Sequence, residues 1–124
     1  MTKLLFIAAG GGAGALLRYL VAGWGQRLTE STFPLGTLVV NTTGCLLIGF
    51  AGGVLSGPLI VREEYRLALL VGLLGGFTTF STFGFETFSL VEDRQWLYVG
   101  LNLLASNCLG LVAVWLGYRV AQQL

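Results

Sequence analysis

Four stretches of this chain are long and apolar enough to cross a lipid bilayer, and nearly every charge falls between them. A helix needs about 20 mostly apolar residues to traverse the hydrocarbon core. The first stretch covers about residues 4–24 and is interrupted only by Arg18. The second lies within residues 31–61, which carry no charge at all. The third runs over about residues 67–91, with Glu86 as its only charge. The fourth lies between Arg94 and Arg119, where 24 residues carry none. Only 10% of the 124 residues are charged and 55% are hydrophobic, with a mean hydropathy of +0.80. A soluble domain carries about 25% charged residues. A chain this short has too little interior to hide the difference. The expectation is an all-α integral membrane protein, multi-pass in the cell (inner) membrane. It forms one four-span domain over residues 1–124, with spans at about 4–24, 34–56, 67–91 and 96–119.

Several function classes are excluded at this level. Net charge is +1 and histidine is absent, which leaves no basic patch for nucleic acid and no imidazole for metal or proton chemistry. No nucleophile–base pair, phosphate loop or metal cluster is visible, so the chain does not read as an enzyme. Cys45 and Cys108 each sit within an apolar stretch and are expected to be small buried side chains rather than a disulfide. Lys3, the apolar run after it and Ala13-Gly14-Ala15 imitate a signal peptide. The hydrophobic stretch continues past that triplet, so the segment reads as a retained first span.

The ends of the spans are marked by familiar punctuation. Pro34 suits the first turn of the second helix, with Ser31 or Thr32 as a cap, and Gly57-Pro58 marks its end. With four spans, both termini lie on one side of the membrane. That side holds Lys3, Arg62, Arg66 and Arg119, against Arg27, Arg94 and a snorkelling Arg18 on the other. So weak a bias permits insertion both ways up. Glycines four apart, at 10/14, 49/53, 53/57 and 72/76, allow helix backbones to approach closely in lipid.

The third span carries the unusual chemistry. Gly72-Leu73-Leu74-Gly75-Gly76-Phe77-Thr78-Thr79-Phe80-Ser81-Thr82-Phe83 concentrates three glycines and four hydroxyls in its middle. Each mid-helix glycine costs about 1 kcal/mol relative to alanine, and hydroxyls compete for backbone partners. A break over residues 75–79 is expected, and irregular backbone at that depth belongs inside protein or beside a polar cavity. Freed N–H groups there can meet an anion, and freed carbonyls a cation. Phe80 and Phe83 share a helix face, and a phenyl ring presents a positive edge to a small anion. Thr37 and Asn41 form a polar stripe in the second span, and Asn102 and Ser106 another in the fourth, continued by Gly110. Each pair taken alone reads as interhelical hydrogen bonding, whereas three polar stripes together suggest a path. Arg18 falls near one membrane edge, as an anchor or as the rim of an anion-attracting vestibule. Glu86, one turn beyond Phe83, has to be protonated or to accept from groups that face the ion.

These residues resemble the Fluc (CrcB) fluoride channels over essentially the whole chain. The resemblance rests on a glycine-rich first helix ending in Leu17-Arg18-Tyr19 and on Gly36-Thr37-Leu38-Val39-Val40-Asn41. Most specific is the run from Gly75 to Phe83 followed by Glu86. It implies an antiparallel, dual-topology homodimer with two fluoride pores. By that resemblance Asn41 donates in the pore and Phe80 and Phe83 form an aromatic box. Ser81 and Thr82 supply hydroxyls, and Arg18 lies at the vestibule. Backbone carbonyls of Gly75 and Thr78 hold a structural sodium ion at the dimer interface. The implied role is passive, fluoride-selective export that relieves toxicity. Two rivals remain from the residues alone. One is a proton-coupled exporter of the small multidrug type, which needs a carboxylate that the first span lacks. The other is a non-transporting assembly factor, which leaves the polar stripes without a use.

Overall fold

The computed structural model describes residues 1–57 and 60–124. Helix α1 covers Thr2–Gln26 and α2 covers Leu35–Leu55. The third span is built in pieces. Helix α3 (Glu63–Leu67) leads into a π-helical stretch (Ala68–Leu74), then α4 (Gly75–Phe77) and α5 (Phe80–Glu92). Helix α6 covers Trp96–Ala121. Four helical segments are long and apolar enough to cross a membrane, the third being Glu63–Glu92 taken as one.

The helices pair off through glycines. Helix α2 packs most extensively on α6, and α1 on the π-helical stretch, α4 and α2. A Cβ at Gly14 would overlap the carbonyl of Leu73, and one at Gly76 would lie 2.6 Å from the carbonyl oxygen of Gly11. Gly49 and Gly117 play the same part between α2 and α6, against Val114 and Leu46. Backbones this close gain dispersion contact that lipid cannot replace. Of the glycine pairs in the sequence, 10/14 meets 72/76 across one interface. Gly53 faces α6, whereas Gly57 meets only the carbonyl of its neighbour Val54.

The two ends of the bundle are tied by polar contacts. Lys3 pairs with Glu63 where α1 and α3 begin, an exposed ion pair worth about 0–1 kcal/mol. At the opposite end the Thr32 hydroxyl donates to Gln95 Oε1 at 2.5 Å, joining the two loops there. Gln26 closes the α1–α2 turn by donating to the carbonyls of Ser31 and Phe33 and accepting from Gly36 N–H.

Some local expectations change. Pro34 is itself the N-cap of α2, with no side-chain cap. Ser31 Oγ instead accepts from Phe33 N–H at 2.9 Å. The third span begins at Glu63, with Glu63 and Glu64 in its first turn, where carboxylates suit the helix dipole. Gly75, Gly76 and Phe77 stay helical, and the backbone opens only at Thr78 (φ −82°, ψ 159°) and Thr79 (φ −151°, ψ 117°). Both cysteines are free thiols, but neither is fully buried: Cys45 is half-buried and Cys108 is exposed on α6. The end of the second span at Gly57-Pro58 lies partly outside the described residues.

Candidate functional site

The break in the third span is held open by two side chains that replace helical hydrogen bonds. In an unbroken helix Thr79 N–H would donate to the Gly75 carbonyl. Here it donates to Asn41 Oδ1 at 2.8 Å, and Asn41 Nδ2 donates to the Thr79 carbonyl at 2.9 Å. One carboxamide on α2 thus satisfies both backbone groups of one residue. In the next turn Thr82 N–H would donate to Thr78. It donates instead to Thr79 Oγ1 at 3.2 Å, the N-cap bond of α5. The two substitutions release the carbonyls of Gly75 and Thr78 from the helix ladder. Thr78 N–H and hydroxyl still donate to Leu74 O, each at 3.1 Å, which ends α4 cleanly.

Two cavities flank this break. One, of about 330 Å³, is lined by Asn41, Thr78, Thr79, Phe80, Phe83 and Ser106 among others. The other, of about 320 Å³, includes Arg18, Thr37, Thr79 and Thr82 in its lining. Thr79 lines both. Phe80 and Phe83 sit 5.6 Å apart between ring centroids, tilted by 43°, within the range of attractive aromatic pairs. Phe83 is buried at 9% exposure, whereas Phe80 is 83% exposed. Arg18 reaches across from α1 to the Thr78 carbonyl with a long bond of 3.5 Å and also lines the second cavity.

The remaining polar residues form two relays. Thr37 Oγ1 donates to Glu86 Oε1 at 2.8 Å, so Glu86 accepts from a residue lining the Arg18 cavity. Its other oxygen is buried without a partner. A further cavity of about 250 Å³ beside Glu86 is lined by Gln26, Thr32, Ser89 and Asp93 among others. On the other side, Ser106 donates to Asn102 at 3.3 Å, Asn102 to Thr87 at 2.8 Å, and Thr87 to the Phe83 carbonyl at 2.7 Å. Asn102 is 1% exposed and ties α6 to α5, while Ser106 lines the first cavity. Ser81 lies exposed on the first turn of α5 beside Thr79. Gly75 is also exposed, and a Cβ added there would meet only the Leu70 carbonyl, at 3.7 Å.

Of the residues singled out from sequence, the structure brings Asn41, Thr78, Phe80, Phe83 and Ser106 around one cavity, and Arg18, Thr37 and Thr82 around the other. Sequence reading assigned no role to Thr79 or Thr87. Thr79 carried a usable signal, because a hydroxyl residue at the restart of a helix is a natural N-cap. Thr87 carried none, being one of many threonines able to bond back to its own helix.

Fold and site define a multi-pass membrane protein of four spans, with a broken third helix and polar groups gathered around the break. Among known proteins, the family model described as "CrcB-like protein, Camphor Resistance (CrcB)" matches residues 5–118, and the chain belongs to that family. It is similar to the fluoride-specific ion channel FluC of Geobacter sulfurreducens, 47% identical over 124 residues and the full length of both chains. That of Nitrosococcus oceani is 42% identical over 120 residues, covering 97% of this chain and 96% of the relative. That of Geobacter metallireducens is 42% identical over the full length of both.

Proposed function

We propose that this chain is a fluoride-selective channel, not an enzyme or a proton-coupled exporter, and that it passes fluoride passively out of the cell. The observation that carries the reading is the pair of cavities on either side of Thr79, which lines both, one under Arg18 and one beside Phe80 and Phe83. Full-length similarity to proteins named as fluoride channels supports it. An anion is drawn first to the Arg18 cavity by a fixed positive charge. The start of α5 lies there too, and a helix N-terminus favours negative charge. Hydroxyls such as Thr82 then replace part of the ion's water. Beyond the break, the ring edges of Phe80 and Phe83 offer weak positive charge, with Ser106 on the facing helix. Weak sites suit conduction, since the ion must leave as readily as it enters. Thr37 and Glu86 flank the entry, and the Thr37 hydroxyl keeps the carboxylate oriented.

The working unit in this reading is an antiparallel homodimer with two such paths. Helix α5 contacts α2 and α6 only sparsely, and Phe80, Phe85 and Phe88 on it are exposed. A broken backbone with Ser81 and Thr82 open at mid-membrane is tolerated only when protein or a water-filled cavity covers it, and a second copy supplies that cover. The near-balanced Lys/Arg distribution permits the opposite orientations. A structural sodium ion fits the same arrangement. The carbonyls of Gly75 and Thr78 are both released from the helix ladder and are hard oxygen donors, the Thr78 one also accepting a long bond from Arg18, and two copies contribute two such pairs. The ion, when bound, supplies positive charge that fixes the two breaks against each other.

The aromatic pair tests the path. Phe80→Ile and Phe83→Ile keep most of the side-chain volume and cost about 1.5 kcal/mol or less, but remove the ring edge. The expected outcome is a steep loss of fluoride efflux from proteoliposomes, with an unchanged size-exclusion profile. Normal efflux from both intact variants would move the path elsewhere.

A further inference from the structure

Thr79 is 8% exposed, lines both cavities, and has every hydrogen-bonding position of its hydroxyl occupied. A hydroxyl has one proton and two lone pairs. The Thr79 proton goes to Thr82 Oγ1 at 2.9 Å. Its oxygen accepts from Thr82 N–H at 3.2 Å, and Ser81 Oγ lies 3.4 Å away. Because the Thr79 proton is already directed to Thr82, Ser81 is the donor in that third contact. The three hydroxyls therefore have a fixed sense. Ser81 donates to Thr79, Thr79 donates to Thr82, and Thr82 is left with an accepting oxygen and a free proton. Thr82 lines the cavity that also holds Arg18.

We propose that Thr79 is a positioning residue for anion passage: its hydroxyl turns the Thr82 hydroxyl so that the Thr82 proton faces the Arg18 cavity as a hydrogen-bond donor. The backbone of Thr79 is immobilised from the other side by both halves of the Asn41 carboxamide, so the direction of the relay is set by α2. Without the Thr79 proton, the Thr82 oxygen has no donor to hold it. Thr82 then rotates freely, or turns its own proton back towards a backbone carbonyl, as threonines in helices readily do. An anion arriving beside Arg18 would meet lone pairs as often as a proton. The inference rests on the fluoride-channel reading, with Thr79 acting through Thr82 and not on the ion itself.

The experiment is fluoride efflux from proteoliposomes, over a range of fluoride concentrations, with size-exclusion profiles for each protein. Thr79→Val keeps the shape and removes the hydroxyl, and should lower efflux about tenfold or more. Thr79→Ser restores the relay and should stay within about threefold of wild type. Thr82→Ala should lower efflux as well, and adding Thr79→Val to it should change the rate less than twofold. A residue serving only as helix cap would not show that loss of effect. Should Thr79→Val fail to fold, Thr79→Gly serves in its place. Glycine is well tolerated at an N-cap and carries no side-chain proton, so the protein should stay folded and efflux should fall. Wild-type efflux from intact Thr79→Val or Thr79→Gly, or independent losses in the Thr79→Val/Thr82→Ala double variant, would overturn the proposal while the channel reading stands. A wild-type protein that passes no fluoride would overturn that reading, and the role of Thr79 with it.

Discussion

Asn41 shows how one side chain can serve both structure and passage. It is the only amide in the second span, which is why the sequence drew attention to it as a donor. Its partner, the backbone of Thr79 some 38 positions away, was not legible, because partner choice depends on how two helices pack. One Nδ2 proton goes to the Thr79 carbonyl, and the second is available to the adjoining cavity. Asn41→Asp keeps the acceptor for Thr79 N–H but sets a second acceptor against the Thr79 carbonyl. That leaves a buried carbonyl unpaired, at a cost of about 1–3 kcal/mol, and an ionised carboxylate would repel an anion. The expected outcome is a lower unfolding midpoint in detergent together with abolished fluoride efflux. Wild-type efflux from folded Asn41→Asp would remove Asn41 from the path.

At the scale of the element, the third span combines what the sequence reveals with what it conceals. Clustered glycines and hydroxyls announced a break, and the break is there. Gly75 and Gly76 nonetheless remain helical, since Gly76 is packed against Gly11 and close packing outweighs a propensity cost of about 1 kcal/mol. The π-helical turn at Ala68–Leu74 has no signature of its own, because the same apolar residues suit an α-helix equally well. The far end of α5 is similar. Arg94 N–H donates to Val91 O at 3.0 Å and Gln95 N–H to Leu90 O at 2.9 Å, a Schellman closure that requires a left-handed residue. Arg94 fills it with φ 56°, where glycine is the usual choice. Arg94→Gly should relieve strain of about 1 kcal/mol or more, offset in part by the chain entropy of glycine. The net expectation is a small rise in the thermal midpoint, with efflux unchanged. A fall in the midpoint would mean that the Arg94 side chain contributes more than its backbone costs.

For the molecule as a whole, the membrane architecture was readable because lipid imposes one simple requirement, a run of about 20 apolar residues per helix. Close helix packing was foreshadowed by glycines four apart, though not that α1 would pair with the third span and α2 with α6. The polar track was readable only in part. Phe80, Phe83, Asn41 and Ser106 converge on one cavity, yet Asn102 turns inward to Thr87 because a buried amide takes the nearest partner available. What unites these features is a break held by side chains, with cavities on both sides of it. The purified protein should therefore pass fluoride unaided. The measurement is fluoride against chloride efflux from proteoliposomes of the pure protein, with no proton gradient imposed. Rapid fluoride efflux with chloride retained is the predicted result. Retention of both ions, or fluoride efflux only when a proton gradient is supplied, would contradict it.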